Sequence, residues 1–103
     1  MELKVYNEVW DVRAVRSKYQ NNGSLAVILM DNDTEETVAV ITVNLPDGFA
    51  GSEYQYVDTN NCPWAPKFLE DNKLAEPVGF STPSGFCTYP LYKFDLSLIK
   101  EMN

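Results

Sequence analysis

Histidine is absent from this chain. That removes Ser-His-Asp triads, Cys–His dyads, most zinc hydrolase sites and the commonest general base. Cysteine is scarce: Cys62 and Cys87 stand 25 positions apart and form no C-x-x-C, so neither a zinc knuckle nor a thioredoxin-type motif is encoded. The five glycines are scattered and no G-x-x-x-x-G-K phosphate loop occurs. Bases are few, eight against fifteen acids for a net charge of −7, which disfavours direct binding to nucleic acid or anionic lipid. Long apolar runs are missing too: the longest, Leu25 to Met30, falls far short of the ~20 residues that span a bilayer. The opening MELKVYNEVWDV has no basic stretch followed by an apolar one, so no secretory signal is read there. The expectation is a cytoplasmic protein with reduced thiols, no membrane contact, no catalytic residues, no metal and no cofactor.

What is present suits an ordinary globular domain. The hydrophobic share is 45% and the charged share 22%, which argues against global disorder. A length of 103 residues predicts one domain over 1–103, able to build one core without staples. The acidity favours solubility and permits docking on a basic protein surface, including one that normally holds DNA or RNA.

Residues 3–19 are rich in Val, Tyr and Trp without strict alternation, and predict one long strand with a bulge or register change. Asn21-Asn22-Gly23 is a turn. Ser24–Asp31 is apolar on both faces and predicts a central strand covered on both sides. A polar loop follows, then a β-branched strand over Thr37–Leu45, ended by Pro46-Asp47-Gly48. Tyr54–Val57 predicts a short strand. Asn61 or Cys62 could cap a short helix carrying Pro63 and Pro66 in its first turn, with Ala65, Phe68, Leu69 and Asn72 on one face. Residues 76–85 read as irregular. Phe86–Phe94 predicts a last strand, with Pro90 marking an edge or a bulge, and Asp95 a cap for a final helical turn. The fold class is therefore α+β: a small antiparallel sheet of about four to five strands, packed with one short helix and a C-terminal helical turn.

Four groups of residues invite a functional reading. Asp31, Asp33, Glu35 and Glu36 cluster in one turn, where oxygens could attract a divalent cation, but the EF-hand order is missing; a solvated loop that guards a sheet edge explains them as well. Arg13, Arg16 and Lys18 fall within six residues, a small basic patch or simply a solvated strand. Cys62 and Cys87, with Asp58 nearby, could form part of a metal site or a reactive thiol, against burial as small hydrophobes. Tyr54, Tyr56, Asp58, Asn60, Asn61 and Trp64, together with Tyr89 in the stretch 84–92, make the densest polar-aromatic region. It reads as protein-binding anchors or as a packed corner held by Asx turns.

The stretches VDTNNCPWAPKFLEDNKLAEP and SGFCTYPLYKFDL, with NNGSLAVILMD and TVNLPD upstream, resemble an uncharacterised family of small bacterial proteins. Its members are carried on plasmids, integrative elements and phages of Gram-positive bacteria. The resemblance spans almost the whole chain and implies context rather than mechanism; the family pattern sets Gly where Asn72-Lys73 stands here. Together with the size, the acidity and the lack of catalytic groups, that context gives the expectation of a non-enzymatic, protein-binding accessory of mobile elements. One form is an anti-CRISPR or anti-restriction inhibitor that fills the basic groove of a host nucleic-acid-binding nuclease. In it Asp31, Asp33, Glu35 and Glu36 mimic phosphate, and Tyr54, Tyr56 and Trp64 anchor. The alternative is a structural module of transfer or replication machinery that binds an element-encoded protein, or itself as a homodimer through Phe86–Phe94.

Overall fold

A computed structural model describes residues 1–46, 49 and 51–102. The fold is α+β: two antiparallel sheets, one short helix and a C-terminal 3-10 turn. The first sheet runs in the order β1 (Glu2–Val5), β2 (Glu8–Lys18), β3 (Leu25–Asp31) and β4 (Thr37–Val40). The chain then crosses to a second sheet through β5 (Thr42–Val43) and β6 (Tyr54–Val57). After helix α1 (Ala65–Asp71) it completes that sheet with β7 (Ala75–Ser84) and β8 (Cys87–Phe94), in the order β5-β6-β8-β7. A 3-10 turn at Leu96–Leu98 leads to β9 (Lys100–Glu101), which returns to pair in parallel with β2.

The long strand expected over residues 3–19 is a hairpin. Tyr6 takes φ +55 at its turn, and Glu2–Val5 pairs back on Glu8–Asp11. The strand expected over Thr37–Leu45 is divided at Ile41. That residue is fully buried; its N–H donates to Val27 O at 3.0 Å and its carbonyl accepts from Asp58 N at 2.9 Å. Ile41 therefore bonds to the first sheet with one backbone group and to the second with the other. Thr42 strengthens the crossing, since its Oγ1 accepts from Val27 N at 3.1 Å.

A single core joins both sheets and the helix: Val12, Val27, Leu29, Ile41, Val57, Phe68, Leu69 and Phe94 all belong to it. β3 is central as expected. Its Leu25, Val27 and Leu29 face is buried, whereas Ile28 and Met30 on the other face are half-covered. Gln55, fully buried in β6, donates from Nε2 to Leu25 O at 2.7 Å and accepts from Tyr56 N at 2.9 Å, so one amide ties the second sheet to the first. The helix starts at Trp64 with no side-chain cap, not at Asn61 or Cys62. Pro66 lies in its first turn, where its missing N–H costs nothing. Asn72 ends the helix, donating from Nδ2 to Phe68 O at 2.9 Å. Lys73 then takes φ +55, the left-handed position where glycine is usual. Asp95 caps the 3-10 turn by accepting from Ser97 N and Oγ.

Residues 76–85 are not irregular. They form β7, an edge strand paired to β8 from Ala75↔Phe94 to Ser84↔Cys87. Glycine and proline read as loop signals, yet an edge strand tolerates proline where its missing N–H would face solvent. Phe86–Phe94 is an edge only in part: over Leu91–Lys93 β8 lies between β6 and β7, and towards the turn from Pro90 it pairs with β7 alone. Its pairing with β6 covers Leu91–Lys93 and stops at Pro90, which has no N–H to give.

A candidate interaction surface

Past Pro90, β7 and β8 continue as a two-stranded ribbon: Ser81↔Pro90, Thr82↔Tyr89, Pro83↔Thr88 and Ser84↔Cys87 pair with no third strand beside them among the described residues. The two-residue loop Gly85-Phe86 closes it. Gly85 takes φ +62 at the first central position, as a type II′ hairpin turn requires. At the base the register slips between Pro77 and Ser81, so Val78, Gly79 and Phe80 bulge out opposite Leu91. Gly79, at φ +89, makes the bulge possible.

From Pro77 to Tyr92 no residue is charged, the longest such stretch in a chain with 23 charged residues. Several of its apolar side chains face water. Phe86 at the tip is fully exposed, Phe80 is 54% exposed and Val78 46%. These three were not singled out from sequence; the signal available was the uncharged run itself.

One face of the second sheet continues this surface. Tyr56, Leu91 and Leu45 form a small buried cluster with Val43, Tyr54 and Tyr89 around it. Phe49 leans over it, its ring 6.2 Å from Tyr54 and 6.1 Å from Tyr56. Thr82 Oγ1 bonds to Tyr56 Oη at 2.8 Å, fastening the ribbon to the sheet. Tyr54, Tyr56 and Tyr89 are thus brought together as one aromatic face. Tyr56 is buried, leaving Tyr54 and Tyr89 half-exposed.

The other candidates are placed differently. Asp58 spends both carboxylate oxygens on Asn61, accepting from its N at 3.2 Å and its Nδ2 at 2.9 Å, so the pair closes the loop before the helix. Asn60 is an exposed turn residue in that loop. Trp64 turns inward against the core and meets Phe68 edge-on at 6.2 Å. Burial, then the charge of Asp58, pushes the Cys62 thiol above its ordinary value, and its Sγ faces Val40 O at 3.8 Å. Cys87 is half-buried on the ribbon. The Tyr89 hydroxyl is also raised, chiefly by hydrogen bonding toward Cys87, then by burial and the charges of Cys87 and Asp58.

The acidic turn sits at the far end of the first sheet. Asp31 Oδ1 accepts from Asp33 N at 2.8 Å and Thr34 N at 3.3 Å. Glu35 binds Arg13 through both oxygens, at 2.8 and 2.9 Å; that hydrogen bonding, then the charge of Arg13, lowers the Glu35 pKa and raises its partner's. Arg13 also reaches Asn32, which donates to Asp11. Two of the four turn acids are thus used within the fold; Asp33 and Glu36 remain exposed. Arg16 is likewise occupied, by Leu96 O at 3.0 Å and Glu101 at 3.6 Å. An open groove of about 1150 Å³ runs between α1 and the base of β7–β8. Its rim mixes Lys67, Lys73 and Lys93 with Glu53, Glu70 and Glu76, and presents no single charge to a ligand.

Among the described residues no group of three or more His, Cys, Asp or Glu is placed to hold a metal ion. None of the described helices is long and apolar enough to cross a membrane. No curated protein and no solved structure matches the chain. A family model does match, over residues 15–103, which takes in everything from the middle of β2 onward. The chain belongs to the family described as a domain of unknown function, DUF4313.

Proposed function

We propose that this chain is a non-enzymatic protein-binding module that meets its partner through the uncharged ribbon and the aromatic face beside it. The observation that carries this reading is the coincidence of the charge-free run 77–92 with exposed Val78, Phe80 and Phe86 on an otherwise strongly acidic protein. Exposed apolar patches on soluble proteins mark interaction sites, and buried aromatic anchors dominate binding energy. Pro77 and Pro83 remove donors from the β7 edge, so the contact is made by side chains rather than by adding a strand. The absence of histidine and the raised Cys62 pKa support a role without covalent chemistry, because the thiolate is the nucleophile.

A narrower form is an accessory protein of mobile elements that occupies the basic surface of a host nucleic-acid-binding protein. The net charge of −7 favours it: acids around the first sheet would speed encounter with such a surface, while the ribbon would supply the affinity. Photo-crosslinking tests both forms. A benzophenone amino acid is placed at Phe86, and separately at Asp33, and adducts are collected from the native cells at low and high salt. Adducts at position 86 support the ribbon as the contact. Adducts at position 33 alone would transfer the contact to the acidic turn and sink the reading. A nuclease captured in a salt-sensitive way supports the narrower form.

A further inference from the structure

The ribbon's occupant can be argued from charge, and the argument rests on the binding surface proposed above. In a two-fold dimer the same patch of both copies forms the contact, so whichever surface is used meets its own kind. With a net charge of −7, most surfaces would then set acids against acids. At the acidic end, Asp33 and Glu36 would meet Asp33 and Glu36. The ribbon offers a long patch where self-contact brings no like charges together, because residues 77–92 carry none. It also offers apolar side chains that gain from being covered, with Phe86 wholly exposed at the tip and Phe80 and Val78 at the bulge. We propose that the occupant is a second copy of this chain, packed ribbon against ribbon through Phe80 and Phe86.

Two features define the contact further. Pro77 and Pro83 oppose continuous pairing of one β7 edge with another, so the ribbons pack by their side chains and the sheets do not merge. The sixteen residues 77–92 also fall short of the roughly 20–30 per side of a standard stable interface, so the dimer is weak and forms in about the micromolar range or above. Its salt response is diagnostic. Salt screens the repulsion between two copies of charge −7, so association strengthens as salt is added. Docking of the acidic protein on a basic partner weakens under the same change.

The test is sedimentation velocity of the full chain over a dilution series from micromolar to millimolar, at low and high salt. Labelling of the half-buried Cys87 is followed in parallel. The expected mass rises from 11.7 kDa toward twice that value, more readily at high salt, and Cys87 labelling slows as the dimer forms. Phe86→Ser and Phe80→Ser each weaken association about tenfold or more. Dimerisation that survives both substitutions, or that weakens with salt, overturns the inference. So does a chain that stays monomeric throughout. If that monomer still gives adducts to another protein from position 86, the binding surface stands and only its occupant is wrong. If it gives none, the inference and the reading beneath it fall together.

Discussion

Two turns between antiparallel strands carry opposite chemistry. At the β3–β4 end, Asp31, Asn32 and Glu35 spend their polar groups on the backbone, on Asp11 and on Arg13. At the β7–β8 end, Thr82 makes a side-chain bond to Tyr56, and beyond it Phe86 meets only water. The charged end looks the more functional in sequence, yet much of its charge is internally answered. The plain end leaves Val78, Phe80 and Phe86 exposed on a surface with no charge beside them in sequence, whereas Tyr6 and Val9, another well-exposed pair, stand among Lys4, Glu8 and Asp11. Polar groups advertise themselves in sequence whether or not they are satisfied; an apolar side chain's exposure is decided only by the topology.

The comparison requires that both ends hang from one core, and the largest expected effect tests that. Phe94→Ala removes a ring buried at the junction of β8 with the shared core and should cost about 3–5 kcal/mol. Trp10 reports on the first sheet and Trp64 on the region beside the helix. In urea, followed with Trp10→Phe and Trp64→Phe as single-probe backgrounds, both signals should move together to a lower midpoint. Separate transitions would break the comparison, because the two ends would then belong to independently folding parts.

Gln55→Ala sharpens it next. The substitution removes the amide that joins β6 to Leu25 O and should cost about 1–3 kcal/mol. Hydrogen exchange of the β6 and β3 amides should rise together. A rise confined to β6 would mean that the amide serves its own strand rather than the junction.

How much of this was legible follows from where each signal lives. The α+β class, the central β3, the helix face of Ala65, Phe68 and Leu69 and the Asp95 cap rest on local periodicity and capping, and they appear as expected. The β1–β2 turn was hidden because its positive-φ position is held by Tyr6, and Asn7 beside it is a weak signal without a Gly. The crossing at Ile41 was hidden because a β-branched run reads the same whether it stays in one sheet or changes sheets. β7 was hidden because Pro77, Gly79 and Pro83 read as loop unless the strand is known to be an edge. With β7 went the ribbon, and so Phe80 and Phe86. Of the candidate residues, Tyr54, Tyr56 and Tyr89 converge, while Asp58, Asn61 and Trp64 are used in loop closure and core packing.

Breaking the ribbon should separate binding from stability. The double variant Phe80→Ser, Phe86→Ser removes apolar groups that rest on solvent, so its unfolding free energy should stay within about 0.5 kcal/mol of the parent. Its self-association should be lost. A large drop in stability would mean that the ribbon side chains support the core after all, and the contrast between the two ends would dissolve.

The smallest effect belongs to the charged end. Glu35→Gln removes a bidentate pair that lies open to solvent, where screening leaves little for stability. The pH dependence fixes the sign. The carboxyl of Glu35 is held below its ordinary pKa by Arg13, so whatever the pair contributes is present at neutral pH. That contribution is lost as pH falls from the ordinary carboxylate range through the lowered value. The substituted protein should therefore melt only marginally below the parent at neutral pH and low salt. The two melting curves should converge on acidification, and again at high salt. If instead the substitution also abolished partner capture while leaving melting unchanged, the acidic turn would be acting outward. The ribbon would then have to share its role as the contact surface with the turn whose polar groups are largely spent on the fold.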